Sequence, residues 1–144
     1  MDYSNQHNFI LELNEKDGNE QFPLLDAIIN NNIEIVQSLM DYANKNNIIL
    51  ILNEIDINGE YPLLEAIYHN NIKIVRLLLD YANKNNSILG LNKKDKYGFN
   101  PLFIAIYNNN IEIIHLIMDY AIEQKIKLEL DEKKWTLSSF NIHC

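Results

Sequence analysis

The chain has 144 residues with 20 acidic and 12 basic side chains, a formal net charge of −8 and 47% hydrophobic residues. This length suits one domain with its own core, and the composition excludes wholesale disorder. The acidic balance argues against a nucleic-acid binder, which normally carries a basic stripe. A lone cysteine, Cys144, cannot form an internal disulfide and so marks no oxidising compartment. Neither a secretory signal nor an apolar run of about 18–20 residues for a membrane span is present, so no membrane segment is predicted.

The sequence repeats itself with a period of 39 residues, as the spacing of Pro23, Pro62 and Pro101 shows. We interpret the whole chain, 1–144, as one domain that opens on the remnant of a preceding unit. The predicted segments are, in order, a partial unit at 1–14, full units at 15–53, 54–92 and 93–131, and a departing C-terminal segment at 132–144.

Each unit predicts a pair of helices. Pro62 suits the first turn of a short helix, since its missing N–H is no loss there. Leu63, Ala66 and Ile67 then share one helical face. Asn70 ends this helix, because asparagine tolerates the left-handed conformation better than most residues, and Asn31 and Asn109 stand at the same position.

A second, longer amphipathic helix follows the asparagine corner, with apolar positions from Ile72 to Ala82 and an end near Asn85–Asn86. The next stretch, SILGLN, alternates in polarity and should be extended. A tight turn from Asp56 to Gly59 precedes the next proline. Neither helix can bury its apolar stripe alone, so the pattern predicts an all-α solenoid of stacked helix pairs with extended or hairpin loops between repeats.

The units resemble the ankyrin repeat, with its motif D-x-x-G-x-T-P-L-H-x-A followed by a glycine turn and an I-V-x-x-L-L helix. The second unit reads DINGEYPLLEAIYHNNIKIVRLLL and the third DKYGFNPLFIAIYNNNIEIIHLIM. The family's Thr before Pro is replaced by Phe22, Tyr61 and Asn100, and its His after Pro-Leu by Leu25, Leu64 and Phe103. We therefore expect apolar packing in place of the hydroxyl–imidazole hydrogen bonding usual at these two positions.

The resemblance implies a binding scaffold without catalysis, whose partners meet a concave face of turn tips and first-helix sides. Carried over position by position, that face consists of Gln21, Ile29, Asn30, Ile57, Asn58, Glu60, Tyr68, His69, Lys96, Tyr97, Phe99, Tyr107 and Asn108. Periodicity also places Tyr68 and Tyr107 off the apolar helix face, so both should be partly exposed, in register with Ile29. They form either the core of an interface or packing between adjacent repeats.

Motifs for catalysis and metal binding are absent from the sequence, which has no HExxH, CxxC or glycine-rich phosphate loop. Asp41, Asp80 and Asp119 recur in register, and we interpret them as a solvated acidic ridge. Asn30 and Asn108, which flank the corner asparagines, could serve either structure or recognition.

The C-terminal segment also leaves two interpretations. Trp135, Leu137 and Phe140 alternate with polar residues, so they could fold back over the open third unit. Alternatively, the chain is a piece of a longer array and its tail is disordered.

We therefore predict a non-enzymatic, cytoplasmic, monomeric scaffold that binds another protein through the concave face. It needs no cofactor or metal and contacts neither nucleic acid nor membrane. The alternative function is a structural spacer within a larger protein, with no partner of its own. An enzyme is the third possibility.

Overall fold

The computed structural model describes residues 10–130 as three consecutive pairs of α-helices. The helices are α1 (Pro23–Ile29), α2 (Ile33–Lys45), α3 (Pro62–Tyr68), α4 (Ile72–Lys84), α5 (Pro101–Tyr107) and α6 (Ile111–Gln124). No β-strand occurs between residues 10 and 130, so the predicted all-α architecture of helix pairs joined by extended segments is confirmed. Most of the predicted N-terminal remnant and the whole C-terminal segment lie outside the described residues.

Asparagines form the corner between the two helices of each unit. As predicted, the residue that ends the first helix region has a left-handed backbone, with φ of 54°, 55° and 56° at Asn31, Asn70 and Asn109. The asparagine that follows each of these caps the second helix, because its side chain accepts a hydrogen bond from the backbone N–H three residues on. Asn32 accepts from the Ile35 N–H, Asn71 from the Ile74 N–H and Asn110 from the Ile113 N–H.

The helix pairs stack in two layers. The first helices pack in the order α1, α3, α5, and the second helices in the order α2, α4, α6, while each pair also packs on itself. The core lies between the layers and between units, where Ile67, Val75 and Leu78 are fully buried. Each unit therefore buries its apolar stripe only because a neighbour covers it, as expected of a solenoid.

Tyrosine hydroxyls connect each second helix to the extended segment of the preceding unit. In each case the hydroxyl oxygen accepts a backbone N–H at 3.0 Å. The pairs are Leu11 to Tyr42, Leu50 to Tyr81 and Leu89 to Tyr120. The repeated DYANKNN segment therefore encodes an inter-unit link as well as a helix end.

Asparagine side chains form a second set of inter-unit links along the extended segments. Asn53 donates from Nδ2 to the Ile88 carbonyl at 2.7 Å and accepts from the Gly90 N–H at 2.8 Å. Asn14 makes the same two bonds to Ile49 and Ile51, and Asn92 makes them to Lys127 and Glu129. The amide thus replaces the backbone pairing that a β-ladder would provide between these segments.

The turns before each proline are held by an aspartate whose Oδ1 accepts two backbone N–H groups. Asp56 binds the N–H groups of Asn58 and Glu60, both at 2.8 Å. Gly59 has a φ of +77°, and a Cβ there would lie 2.7 Å from the Lys96 nitrogen. Glycine adopts this left-handed conformation without strain, although Glu20 also adopts it in the first unit, and at position 59 the absence of a Cβ allows the close approach of the next turn.

The residue before each proline only partly meets our expectation of apolar packing. Phe22 is buried and apolar, as expected. Tyr61 is completely buried, yet its hydroxyl donates to the Lys93 carbonyl at 2.7 Å. At Asn100 the expectation is wrong, because this short amide accepts from the Phe103 N–H and donates to the Glu129 carbonyl.

Candidate functional site

The residues predicted to form the binding face lie together on the three turns 17–21, 56–60 and 95–99 and on the exposed sides and ends of α1, α3 and α5. We call this surface the inner face. None of the predicted residues is buried. The most exposed large side chains are Ile57 at 62% and Tyr97 at 60%, followed by Tyr107 at 46% and Tyr68 at 42%. The partial exposure predicted for the two helix tyrosines is confirmed.

A groove of about 270 Å³ opens on the inner face between the second and third units. Its lining joins the second turn and α3 to the third turn, through Asn58, Glu60, Leu64, Glu65, Tyr68, Asp95, Lys96 and Tyr97. Five of these residues were predicted. Glu65, Leu64 and Asp95 were not, although the spacing of Glu65 three residues before Tyr68 places it on the same helical side.

Tyr68 spans the groove between its own unit and the next turn. Its hydroxyl donates to Asp95 Oδ2 at 2.6 Å. Burial raises the pKa of the Tyr68 phenol, and the hydrogen bond and charge of Asp95 raise it further. The phenol therefore remains a protonated donor, with its ring held in one place by the adjacent repeat.

Glu65 is a half-buried carboxyl in the wall of the groove. Burial raises its pKa to about 7, and the negative charges of Glu60, Asp56 and Asp95 add to the increase. A side-chain hydrogen bond joins Glu65 to Glu60. Burial and the charge of Asp56 raise the pKa of Glu60, and the positive charge of Lys96 lowers it. In this pair Glu65 is the carboxyl that keeps its proton to the higher pH, and Glu60 accepts its hydrogen bond.

We expect the substitution Glu65→Gln to change how stability depends on pH. The folded-state pKa of about 7 lies above the ordinary value of 4.5, so stability from this group is fully present below pH 4.5, is lost as the pH rises from 4.5 to about 7, and stays lost above that. The amide removes this loss. We therefore expect the substitution to increase the free energy of unfolding at about pH 8 by about 1–2 kcal/mol. This increase is smaller than the pKa difference alone would give, because water partly hydrates and screens the carboxylate.

The measurement is urea unfolding across the pH range, with Glu15→Gln as a control that removes the same charge from an exposed loop position. The control should follow the pH dependence of the wild type. If Glu65→Gln also followed the wild type at every pH, the carboxyl would not carry the raised pKa assigned to it.

Several predicted residues bind neighbouring repeats. Gln21 donates to Asp56 Oδ2 at 2.8 Å, His69 Nε2 lies 2.9 Å from the Ile29 carbonyl, and Asn108 donates to the Ile67 carbonyl at 3.1 Å. These three polar groups therefore link adjacent repeats. Their bonds do not account for the exposed apolar area of the inner face.

The third turn carries an aromatic cluster next to the groove. Phe99 stacks on Phe103 with ring centroids 4.5 Å apart, and Tyr97 lies 6.3 Å from Phe99. Lys96 Nζ lies 5.1 Å from the Tyr97 ring centroid. The tip of this turn thus presents aromatic surface that is anchored to α5.

Asn30 also has a structural partner, since its amide donates to the Asp26 carbonyl one turn back in α1. The two flanking asparagines whose role was open, Asn30 and Asn108, are therefore both engaged in bonds within the array. Their structural role does not depend on a partner.

The opposite surface carries the predicted acidic ridge, with Asp41, Asp80 and Asp119 all exposed. A shallower groove of about 590 Å³ lies there between α2 and α4, lined by polar residues around Met40 and Leu77. Among residues 10–130, no group of three or more His, Cys, Asp or Glu side chains could hold a metal ion. No helix in this described range is long and apolar enough to cross a membrane.

The stacked helix pairs define a helical-repeat protein. A family model described as ankyrin repeats in three copies matches residues 3–88 and 24–128. The chain belongs to the ankyrin repeat family. Members of this family generally mediate protein–protein interactions and are typically non-enzymatic. Comparison with curated proteins gave no match.

Proposed function

We propose that the protein is a non-enzymatic interaction module that binds a protein partner through its inner face, with the groove between the second and third units at the centre. The observation that carries the proposal is the exposed apolar and aromatic area beside this groove, at Ile57, Tyr68, Tyr97 and Tyr107. Tyrosine supplies large contact area at a low entropic cost, which is why it is enriched at interfaces.

Preorganisation also supports this proposal. Tyr68 is held by Asp95, Phe99 by Phe103, and the second turn by Asp56. A partner would meet side chains that are already ordered, so less entropy is lost on binding. The same proposal holds that the chain acts as a monomer in the cytoplasm, without a cofactor. The net charge of −8 disfavours nucleic acid as the partner.

The test is alanine substitution of Tyr68 and Tyr107, singly and together, with capture by the intact chain followed by affinity measurement on each captured protein. We expect each substitution to weaken binding by about 1–2 kcal/mol, which is roughly tenfold. Tyr68→Phe should retain most of the affinity, because it keeps the ring and loses only the hydroxyl.

The control is Ile49→Ala, which removes a similarly exposed apolar side chain outside the inner face. It should leave binding unchanged. Loss of binding with the control, or full binding by the double tyrosine variant, would place the interface elsewhere.

A structural spacer is the second candidate function. The bonds of Tyr68, His69 and Asn108 to adjacent repeats favour it, because they show inner-face residues stabilising the array itself. A spacer predicts that no partner is captured, and that Tyr68→Ala lowers the free energy of unfolding without any change in association.

A further inference from the structure

The third unit ends in an apolar face that has no neighbour within the described residues. The clearest evidence comes from one repeat position on the second helix of each unit. The side chain there is 5% exposed at Met40 and 7% at Leu79, in the first two units, and 40% exposed at Met118 in the third. A position in the extended segment behaves in the same way, at 4% for Leu52, 1% for Leu91 and 49% for Leu130. In the first two units these side chains are covered by the following unit, so the third unit presents the same surface uncovered.

The rim of this face carries one apolar residue more than the same place in the earlier units. Ile122, which is 76% exposed, stands where the first two units have Asn44 and Asn83. The position lies at the rim of the face, since Asn44 and Asn83 stay exposed although a following unit is present, and Asn83 Oδ1 accepts there from Gln124 of the third unit. A terminal face that met water should become more polar, whereas this one has gained an isoleucine.

The residues directly after Leu130 do not continue the repeat. Aspartate stands at 131, where Asn14, Asn53 and Asn92 stand in the earlier units. A carboxylate cannot donate to the carbonyl of a following extended segment, so the asparagine link is not encoded there. The sequence from 132 to 144 also lacks the proline-leucine start of a first helix.

We propose that residues 131–144 of this same chain cover the face, with Trp135, Leu137 and Phe140 packed against Met118, Ile122 and Leu130. The segment starts at Leu130, on the edge of the face. Its 14 residues can reach about 45 Å when extended, against about 21 Å for the length of α6, so the whole face is within range. Because the segment is tethered at the edge of the face, its effective concentration at the face is high, and it competes strongly with any separate molecule.

The test uses the fluorescence of Trp135, the single tryptophan of the full-length chain. We expect its emission to be blue-shifted relative to the urea-unfolded protein and protected from acrylamide. The variants Ile122→Asp and Met118→Asp should shift the emission to the red and at least double the quenching constant. Both side chains are exposed in the described array, so the helices should remain intact by circular dichroism.

Ile49→Asp, a substitution of equal chemistry on the first unit, should leave the emission unchanged. Three results would overturn the proposal. Trp135 could be as accessible in the folded wild type as in the unfolded chain, or its protection could be insensitive to both face variants. Protection could also appear only as protein concentration rises, which would assign the face to a second copy.

Discussion

Tyr61→Ala is expected to lower the free energy of unfolding by about 3–5 kcal/mol, the range for removing a large buried aromatic side chain. Tyr61 is completely buried at the junction of the second and third units. Its removal leaves a cavity between two units that depend on each other for burial. It also leaves the Lys93 carbonyl without the hydroxyl that binds it at 2.7 Å.

Tyr61→Phe separates the two contributions, because it keeps the ring and loses the donor. We expect it to cost about 1 kcal/mol, as for a typical hydrogen bond. Tyr107→Ala, at an exposed tyrosine of the next unit, should cost less than about 1 kcal/mol. Urea unfolding measures all three. Equal losses for Tyr61→Ala and Tyr107→Ala would contradict the assignment of Tyr61 to the core.

Asn53→Ala is expected to lower the free energy of unfolding by about 1–3 kcal/mol, because it removes two hydrogen bonds, one to a part-buried backbone N–H and one to an exposed carbonyl. These are the Ile88 carbonyl and the Gly90 N–H, at 2.7 and 2.8 Å from the Asn53 amide. The loss should exceed that of an ordinary exposed asparagine, since the extended segments have no strand pairing to replace it.

Asn53→Asp provides a sharper test of the same link. The carboxylate can still accept from Gly90 but faces the Ile88 carbonyl without a proton to donate. Relative to wild type at the same pH, this variant should recover stability in acid, where the carboxyl is protonated. Asn44→Ala, on the exposed side of α2, serves as the control and should change stability by less than about 0.5 kcal/mol. A loss at Asn53 no greater than that at Asn44 would contradict the linking role.

The helix pairs could be predicted from sequence because their determinants are local. A proline such as Pro62 and an asparagine such as Asn70 fix a helix start and a corner through their own backbone preferences. The 39-residue period then shows each signal three times. The end of the second helix could be predicted in the same way. The sequence predicted an end near Asn85–Asn86, and α4 ends at Lys84.

The links between units could not be predicted, because they depend on how far apart the units stack. Asn53 and Tyr81 recur in register, yet the sequence alone shows only that an amide and a phenol repeat. Which backbone group each one reaches is set by the placement of the adjacent repeat. For the same reason the bonds of Asn100 could not be predicted, because its amide binds both the Phe103 N–H in α5 and the Glu129 carbonyl in the extended segment.

The candidate site was predictable as a surface and not as a set of interactions. The surface of turn tips and first-helix sides follows from the resemblance to ankyrin repeats, which is why Tyr68 and Lys96 were predicted to share a face. Glu65 was missed because its equivalents, Asp26 and Ile104, give no consistent signal. Its pKa is raised by burial in the groove and by the negative charges of Glu60, Asp56 and Asp95. The folded array is needed for both, so the sequence alone gives no sign of the shift.

Site-specific photocrosslinking tests the central claim of the binding proposal most directly. A photoreactive phenylalanine derivative is placed at Tyr97 or Tyr107 on the inner face, and at Asp80 or Glu123 on the opposite surface, all of which are exposed. We expect the two inner-face positions to crosslink one and the same protein, and the Tyr68→Ala substitution to reduce that crosslink by roughly tenfold when the partner is subsaturating. Crosslinks formed only from Asp80 or Glu123, or inner-face crosslinks indifferent to Tyr68→Ala, would contradict it.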